Sequence, residues 1–231
     1  MEYNKIFHGQ RPAIGLPHRY MMTEESIKRC MICGVVLVMS MFTGTNCLYA
    51  QTASGSINGH DYVDLGLSVK WATCNVGAGK PSDYGNYYAW GETSTKSTYT
   101  EENSKTYEKN IDDIKGNSRY DVARANWGGS WRLPTDAEAE ELLNKCKWTR
   151  TTMGGKAGFK VTGPSGNSIF LPSAGKRVGS SLGCTGEEGH YWTSTPYEGD
   201  AYNAYSLGFG YIFIVGGSGR DFGFSVRPVT K

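Results

Sequence analysis

The chain has 231 residues and a formal net charge of +2, and 39% of its residues are hydrophobic against 20% charged. This balance is ordinary for a globular protein and argues against a long disordered chain. Residues 51–231 carry 19 Lys and Arg against 19 Asp and Glu, without the basic stripe of a nucleic-acid-binding protein or the basic amphipathic helix of a membrane-surface protein. No nucleic-acid partner is therefore predicted.

The first fifty residues are predicted to be an N-terminal extension with a signal peptide. A Lys-Arg pair precedes the apolar stretch CMICGVVLVMSMF at residues 30–42, which is short for a membrane span and has the length of the apolar region of a signal peptide. Cleavage after Ala50 would export the remainder with no membrane span in the mature chain. A retained membrane anchor is the alternative.

After this extension, residues 51–56 read as a polar linker and residues 57–231 as one domain, because no later shift of composition marks a second linker. Export to an oxidising compartment would leave Cys74, Cys146 and Cys184 in the mature chain. One disulfide and one free thiol is the simplest arrangement of these three cysteines.

Two helices are predicted. In LPTDAEAEELLNKCKW, Thr135 is a suitable N-cap, and Glu138 stands three residues later to complete a capping box. The apolar residues that then share one helix face are Ala139, Leu142, Leu143 and Cys146. The cysteine at the end of this face would allow a disulfide to fix the helix to a neighbour. A shorter helix is predicted at residues 120–125.

Most other segments are strand-length stretches between glycine-rich turns. The predicted strands are residues 61–67, 69–76, 130–134, 158–163, 167–173 and 190–195. At the C-terminus, residues 204–215 and 220–229 are predicted to form a hairpin around a turn at Gly216-Gly217-Ser218-Gly219. Many strands with two helices predict an α+β domain.

The sequence does not predict a catalytic, metal or cofactor site. His60 and His190 are the histidines that follow residue 50, and they lie in unrelated contexts, so a histidine metal site is not expected. The sequence has no phosphate-binding loop. The serine of GGSGR at residues 216–220 lies in a predicted turn, without the strand-to-helix setting that the nucleophile of a serine hydrolase needs. A non-enzymatic chain without a cofactor is therefore the prediction.

Five motifs occur in order along the domain: YVDLGLSVKWATCNVGA at 62–78, YYAWGET at 87–93, ANWGGSWRLPT at 125–135, YWTST at 191–195 and FSVRPV at 224–229. Together they resemble the Fibrobacter succinogenes major paralogous domain family over residues 60–229, and more loosely the C-terminal domain of the Legionella collagen-like adhesin. Both have a C-type-lectin-like fold, in which two helices flank a small sheet and the last strands carry an exposed binding face.

The resemblance also implies a location, a role and a disulfide. It implies a protein secreted by a Gram-negative bacterium or displayed on its surface, with a periplasmic location as the alternative, and it implies adhesion or binding of a protein or glycan ligand. The pairing habit of the family suggests a Cys74–Cys146 disulfide. Arg132 and Arg227 lie inside family motifs beside apolar residues, so a structural role is expected for both.

Some proteins with this fold are variable proteins of diversity-generating retroelements, which rewrite adenines in C-terminal codons. Residues 199–226 contain no Lys, Glu, Gln, Met or Trp, a composition that fits such a variable segment. Strand alternation then predicts that Leu207, Phe209 and Val226 are buried. The residues predicted to face outward and bind ligand are Tyr211, Phe213, Val215, Ser218, Arg220, Asp221 and Phe222. A buried YIFIV core strand is the alternative.

Two other functions stay open. The RLPT stretch at residues 132–135 and the G-F-x-V at residues 223–226 are similar to segments of formylglycine-generating enzymes. Those enzymes need a redox-active cysteine pair near the C-terminus, whereas this chain has no cysteine after Cys184. The third possibility is a structural subunit of a surface assembly.

Overall fold

The computed structural model describes residues 52–231, so the signal peptide predicted for residues 1–50 lies outside the described residues. The described chain forms small antiparallel sheets with two helices, which confirms the α+β class. No helix in residues 52–231 is long and apolar enough to cross a membrane. Strand β1 begins at Gly55, so the last two residues of the predicted linker belong to the folded domain.

Both helices lie between the third and the fourth strand along the chain. The helices are α1 (Val122–Trp127) and α2 (Asp136–Lys145). The strands are β1 (Gly55–Ile57), β2 (His60–Val63), β3 (Lys70–Ala72), β4 (Lys147–Met153), β5 (Lys156–Thr162), β6 (Ser168–Pro172), β7 (Lys176–Val178), β8 (Ser181–Gly183), β9 (Gly189–Pro196), β10 (Asn203–Phe209), β11 (Ile214–Gly219) and β12 (Val229–Thr230). A short 3-10 turn covers Glu101–Asn103.

Four sheets are described, with strand orders β1-β2-β3-β12, β11-β10-β9, β4-β5-β6 and β7-β8. In the first sheet Val229 pairs with Trp71, so the last strand of the chain lies beside one of the first. In the second sheet the last three long strands lie side by side, and helix α2 packs against all three. The candidate binding surface belongs to this second sheet.

The predicted capping box of α2 is present. The Thr135 hydroxyl accepts a hydrogen bond from the Glu138 amide at 3.2 Å, and the Glu138 carboxylate accepts one from the Thr135 amide at 2.9 Å. Ala139, Leu142 and Leu143 are buried, as the helical spacing predicts. Helix α1 begins two residues later than predicted, because the Asp121 carboxylate accepts hydrogen bonds from Ala123 and Arg124 as its N-cap.

Two large hydrophobic clusters form most of the core, and a third, smaller cluster contains Tyr87, Ala89 and Tyr99. The first, which we call the α2 cluster, joins α2 to β5, β6 and β10 and includes Trp71, Phe159 and Phe209. The second contains Trp90, Trp131 and Trp192 together with Phe224 and Val226. Each of these three tryptophans is buried, so their large apolar side chains contribute to the core.

Three strand predictions need correction. Residues 130–134 form no strand and contribute a single bridge, between Arg132 and Val229. The C-terminal hairpin turns at residues 210–213, since β10 pairs directly with β11 from Asn203 opposite Gly219 to Gly208 opposite Ile214. The glycines at 216, 217 and 219 are extended inside β11 and have no positive φ. Residues 220–228 are outside the strands.

The predicted Cys74–Cys146 disulfide is also corrected. Cys74 carries a free thiol, half-buried, with its sulfur 3.7 Å from the Thr73 hydroxyl. Cys146 is buried among the apolar residues of the α2 cluster, to which Cys74 does not belong. Cys184 is disulfide-bonded.

Candidate binding surface on the C-terminal hairpin

The β10–β11 hairpin turns at a glycine that no other residue can replace without strain. Gly210 has a φ of 137°, and a Cβ atom there would lie 2.6 Å from the Glu187 carbonyl oxygen. Both the backbone conformation and this close approach favour glycine. The turn is therefore fixed against the loop that precedes β9.

The hairpin tip exposes three large apolar side chains close together in sequence. Tyr211 is 69% exposed, Ile212 is 52% exposed and Ile214 is 53% exposed. We refer to these three residues as the tip surface. Single exposed apolar residues are common on soluble proteins, but a contiguous group is typical of an interaction site.

Phe213 lies within the same turn and points the other way. Its ring centroid is 5.4 Å from that of Trp148 and 5.2 Å from that of Phe159, both in edge-to-face geometry. Edge-to-face aromatic pairs contribute about 0.5–1.5 kcal/mol beyond their buried area. Phe213 therefore anchors the tip to the α2 cluster while its neighbours face solvent.

Arg220 anchors the other end of the hairpin. Its side chain is 1% exposed and donates hydrogen bonds to the carbonyl oxygens of Asn203 (3.0 Å), Thr106 (3.1 Å) and Lys109 (2.7 Å). The guanidinium also lies 4.4 Å from the ring centroid of Trp90. These contacts tie the end of β11 to two loops and hold the hairpin in one position.

The residues predicted to face outward therefore separate into different groups. Tyr211 is exposed, as predicted. Phe213 and Val215 are half-buried and pack against the α2 cluster, and Ser218 is half-buried with its hydroxyl 2.9 Å from that of Ser206. Phe222 is half-buried, with its ring 6.1 Å from that of Phe224.

Arg220 and Asp221 are buried, so the prediction that they face outward is wrong. The predicted core residues Leu207, Phe209 and Val226 are confirmed as buried. Arg220 and Asp221 follow the last residue of β11, where strand alternation no longer applies. Ile212 and Ile214 are exposed but were not among the residues predicted to face outward.

Two tyrosines are exposed at the opposite end of the hairpin. Tyr197 is 39% exposed and Tyr202 is 47% exposed. The Tyr197 ring lies 4.8 Å from that of Tyr205 and covers Gly217, where a Cβ atom would be 2.8 Å from the Tyr197 ring. Tyr202 packs edge-to-face on Tyr107 at 5.2 Å. We refer to Tyr197 and Tyr202 as the base tyrosines.

A buried polar cluster lies beside β9. His190 Nε2 is 3.1 Å from a Glu188 carboxylate oxygen, and the Lys176 side chain is buried nearby. Burial lowers the pKa of His190, which favours the neutral imidazole, and burial likewise lowers the pKa of Lys176. The hydrogen bond from His190 lowers the pKa of Glu188. Within residues 52–231, no three His, Cys, Asp or Glu side chains are placed to hold a metal ion.

Comparisons with protein-family models, with curated proteins and with solved structures find no match to this chain. The surface is therefore interpreted from its own geometry.

Proposed function

We propose that this chain is an exported, non-enzymatic binding module with a C-type-lectin-like fold, and that it binds a protein partner through the tip surface. The observation that carries the proposal is the exposure of Tyr211, Ile212 and Ile214 on a hairpin whose two ends are anchored. An exposed binding face on the last strands is also what the family resemblance implies. The two helices beside the sheets agree with that fold.

Anchoring matters because association loses free energy when flexible groups become ordered. Phe213 fixes the tip through the aromatic rings of the core, and Arg220 fixes the base through backbone carbonyl groups. The tip surface is thus held in position before any partner arrives. Preorganised aromatic and aliphatic side chains are the usual centre of a protein interface.

The chemistry of the tip favours a protein over a glycan. Ile212 and Ile214 offer aliphatic surface without hydrogen-bonding groups, whereas a sugar presents a hydroxyl on most of its carbons. Burying those hydroxyls against aliphatic side chains would leave them without hydrogen bonds, which is unfavourable. Tyr211 alone among the three residues could bond a hydroxyl.

Photo-crosslinking in the host organism tests this proposal. A benzoylphenylalanine at position 212 is compared with one at position 182, because Leu182 is exposed on β8, which belongs to a different sheet from the hairpin. We expect one protein to crosslink at position 212 and not at position 182. That protein is then purified, and its affinity for the wild-type chain and for two variants is measured.

Ile212→Asp should weaken binding of the purified partner about tenfold or more, since it places a charge in an apolar contact. The matched control Leu182→Asp should leave the affinity unchanged. Equal losses in the two variants, or none in Ile212→Asp, would overturn the proposal. A glycan array probed with the same variants provides a further check, because glycan binding that depends on Ile212 would overturn the choice of a protein.

We still propose the hairpin as the segment that a retroelement would diversify. Fewer of its positions are expected to vary than the sequence alone predicted. Tyr211, Ile212 and Ile214 can change without disturbing the core, whereas Phe213 and Arg220 are held by many contacts. Sequencing the 3′ end of the gene across a population should show variation at codons 211, 212 and 214. Variation that falls equally on codons 213 and 220 would contradict this assignment.

A further inference from the structure

The outer edge of β11 has backbone groups that no described strand pairs with. The Arg220 amide donates to the Tyr202 carbonyl at 2.9 Å, and the β10–β11 register is continuous. Arg220 and Tyr202 are therefore a hydrogen-bonded pair, and such pairs recur at every second residue of an antiparallel ladder. Ile214, Gly216 and Ser218 thus bond to β10. The amide and carbonyl groups of Val215 and Gly217 therefore point away from the sheet.

Such an edge is usually blocked in soluble proteins by lysine, proline, a bulge or a covering loop. Strand β11 reads IVGGSG and contains no charged residue and no proline. Residues 209–219 contain no Asp, Glu, Lys, Arg or His at all. The edge therefore lacks the sequence features that normally prevent another strand from pairing with it.

We propose that a second copy of this chain pairs with the β11 edge, antiparallel and around a two-fold axis that passes beside Gly216. The register follows from the outward groups: Val215 of one copy lies opposite Gly217 of the other, and the two copies of Gly216 face each other. The two three-stranded sheets then form one continuous sheet of six strands. The same patch of surface is used by both copies, as a two-fold interface requires.

The side chains along the edge support a second copy as the occupant. Ile214, half exposed, would lie opposite Ser218 and diagonal to Gly216 of the second copy, where small residues leave room for it. On the other face Tyr197 covers Gly217 and would lie beside Val215 of the second copy. Large residues at one end of the strand thus meet small residues at the other, so the strand is complementary to itself.

This inference goes beyond the proposed function, which concerns a different protein at the tip. Tyr211 and Ile212 lie before the first residue of β11, so strand pairing leaves them accessible. Two-fold pairing would present Tyr211 and Ile212 of both copies in one particle, while Ile214 would contact the second copy. Two linked sites raise apparent affinity for a multivalent target without any new contact.

Charge variants at the two-fold axis test the pairing in the chain purified after export. A side chain at position 216 is tolerated, because a Cβ atom there would contact only Ile214, at 3.5 Å and beyond. Like charges directly opposite each other on paired strands are destabilising. Molecular mass is measured by light scattering across a dilution series for wild type, Gly216→Lys, Gly216→Glu and the uncharged control Gly216→Ser.

We expect a dimer for wild type and Gly216→Ser, and dissociation at least about tenfold easier for each charged variant. An equimolar mixture of Gly216→Lys and Gly216→Glu should restore the dimer, because opposite charges then face each other. A wild-type chain that is monomeric at its highest soluble concentration overturns the inference. A dimer that the charges leave intact, or that mixing does not restore, overturns it as well.

The two proposals can fail separately. The affinity of the crosslinked partner is measured for the Gly216→Lys variant alongside wild type, at a concentration where the variant is monomeric. Unchanged affinity per chain would show that the tip binds its partner without the dimer. Self-association of the Ile212→Asp variant provides the reciprocal measurement, because residue 212 lies outside the paired strands.

Discussion

Asp221 illustrates how burial at a single residue changes the interpretation of a sequence motif. An aspartate after an arginine in a glycine-rich segment suggests a solvent-exposed pair, yet Asp221 is 7% exposed. The pKa of its carboxyl is raised to about 6, mainly by burial and in smaller part by the negative charge of Glu101. The folded state therefore binds a proton more tightly at this site than the unfolded chain does.

Replacing Asp221 with Asn should stabilise the protein at pH 8. Because the folded pKa of about 6 lies above the unfolded value of 3.8, the stability supplied by protonation is present below pH 4 and is lost as the pH rises to 6. Asp221→Asn removes this loss, so we expect a gain of about 1–3 kcal/mol at pH 8 and little change at pH 4. Urea unfolding at both pH values measures it.

The control for this prediction is Asp112→Asn, at an exposed aspartate. Comparing each variant with wild type at the same pH also cancels the contribution of His190, which has the opposite sign. The lowered pKa of His190 means that its contribution to stability is lost as the pH falls below about 6.5. An equal gain in both aspartate variants would show that burial of Asp221 is not the cause.

At the scale of single elements, the sequence predicts those whose determinants are local. The cap and the buried face of α2 lie within a dozen residues, so spacing alone locates the helix. Strands β5 and β6 are likewise predicted, because each is a strand-length stretch beside a glycine-containing turn. The C-terminal hairpin contains two glycine-rich segments, and its sequence does not distinguish between them.

Contacts with residues that are distant in sequence determine which of the two glycine-rich segments forms the turn. Phe213 enters an aromatic cluster built by Trp148 and Phe159, and Arg220 bonds to carbonyl groups more than a hundred residues earlier in the chain. Both contacts are made with the turn at residues 210–213. The tip surface was predicted in part, since Tyr211 was identified and Ile212 and Ile214 were not.

The capping box of α2 allows an element-scale prediction. Thr135→Ala should lower the free energy of unfolding by about 1 kcal/mol, because the Glu138 amide loses its hydrogen-bond acceptor. Thr135→Ser keeps the hydroxyl and should restore most of that loss. Urea unfolding of the three proteins measures the difference. Equal destabilisation by Ala and Ser would indicate that the threonine methyl group, and not the cap, carries the effect.

At the scale of the whole molecule, one buried cation joins segments that are far apart in sequence. Arg227 donates to the Asn75 side chain at 2.7 Å and to the carbonyl oxygens of Ala72 and Thr73, each at 3.0 Å. It also donates to the Phe170 carbonyl oxygen at 3.1 Å. The end of the chain is thereby tied to the segment that begins with β3 and to β6.

Sequence placed Arg227 inside a motif but could not identify its four acceptors. Their positions depend on how β3 and β6 approach each other, which is a property of the assembled core. The guanidinium is buried, and carbonyl and amide oxygens surround it in place of water. Each acceptor would be left buried and unsatisfied without it, and each such loss destabilises the folded state by about 1–3 kcal/mol.

Arg227→Lys is therefore expected to destabilise the whole domain by at least about 3 kcal/mol, although the charge is kept. A lysine ammonium has three donors on a single atom, so it cannot donate to all four of these acceptors. Unfolding in urea should remain one cooperative transition at a lower midpoint. The control Arg119→Lys, at an exposed arginine, should leave the midpoint unchanged. A Lys variant as stable as wild type would show that charge alone, and not the geometry of four hydrogen bonds, joins these segments.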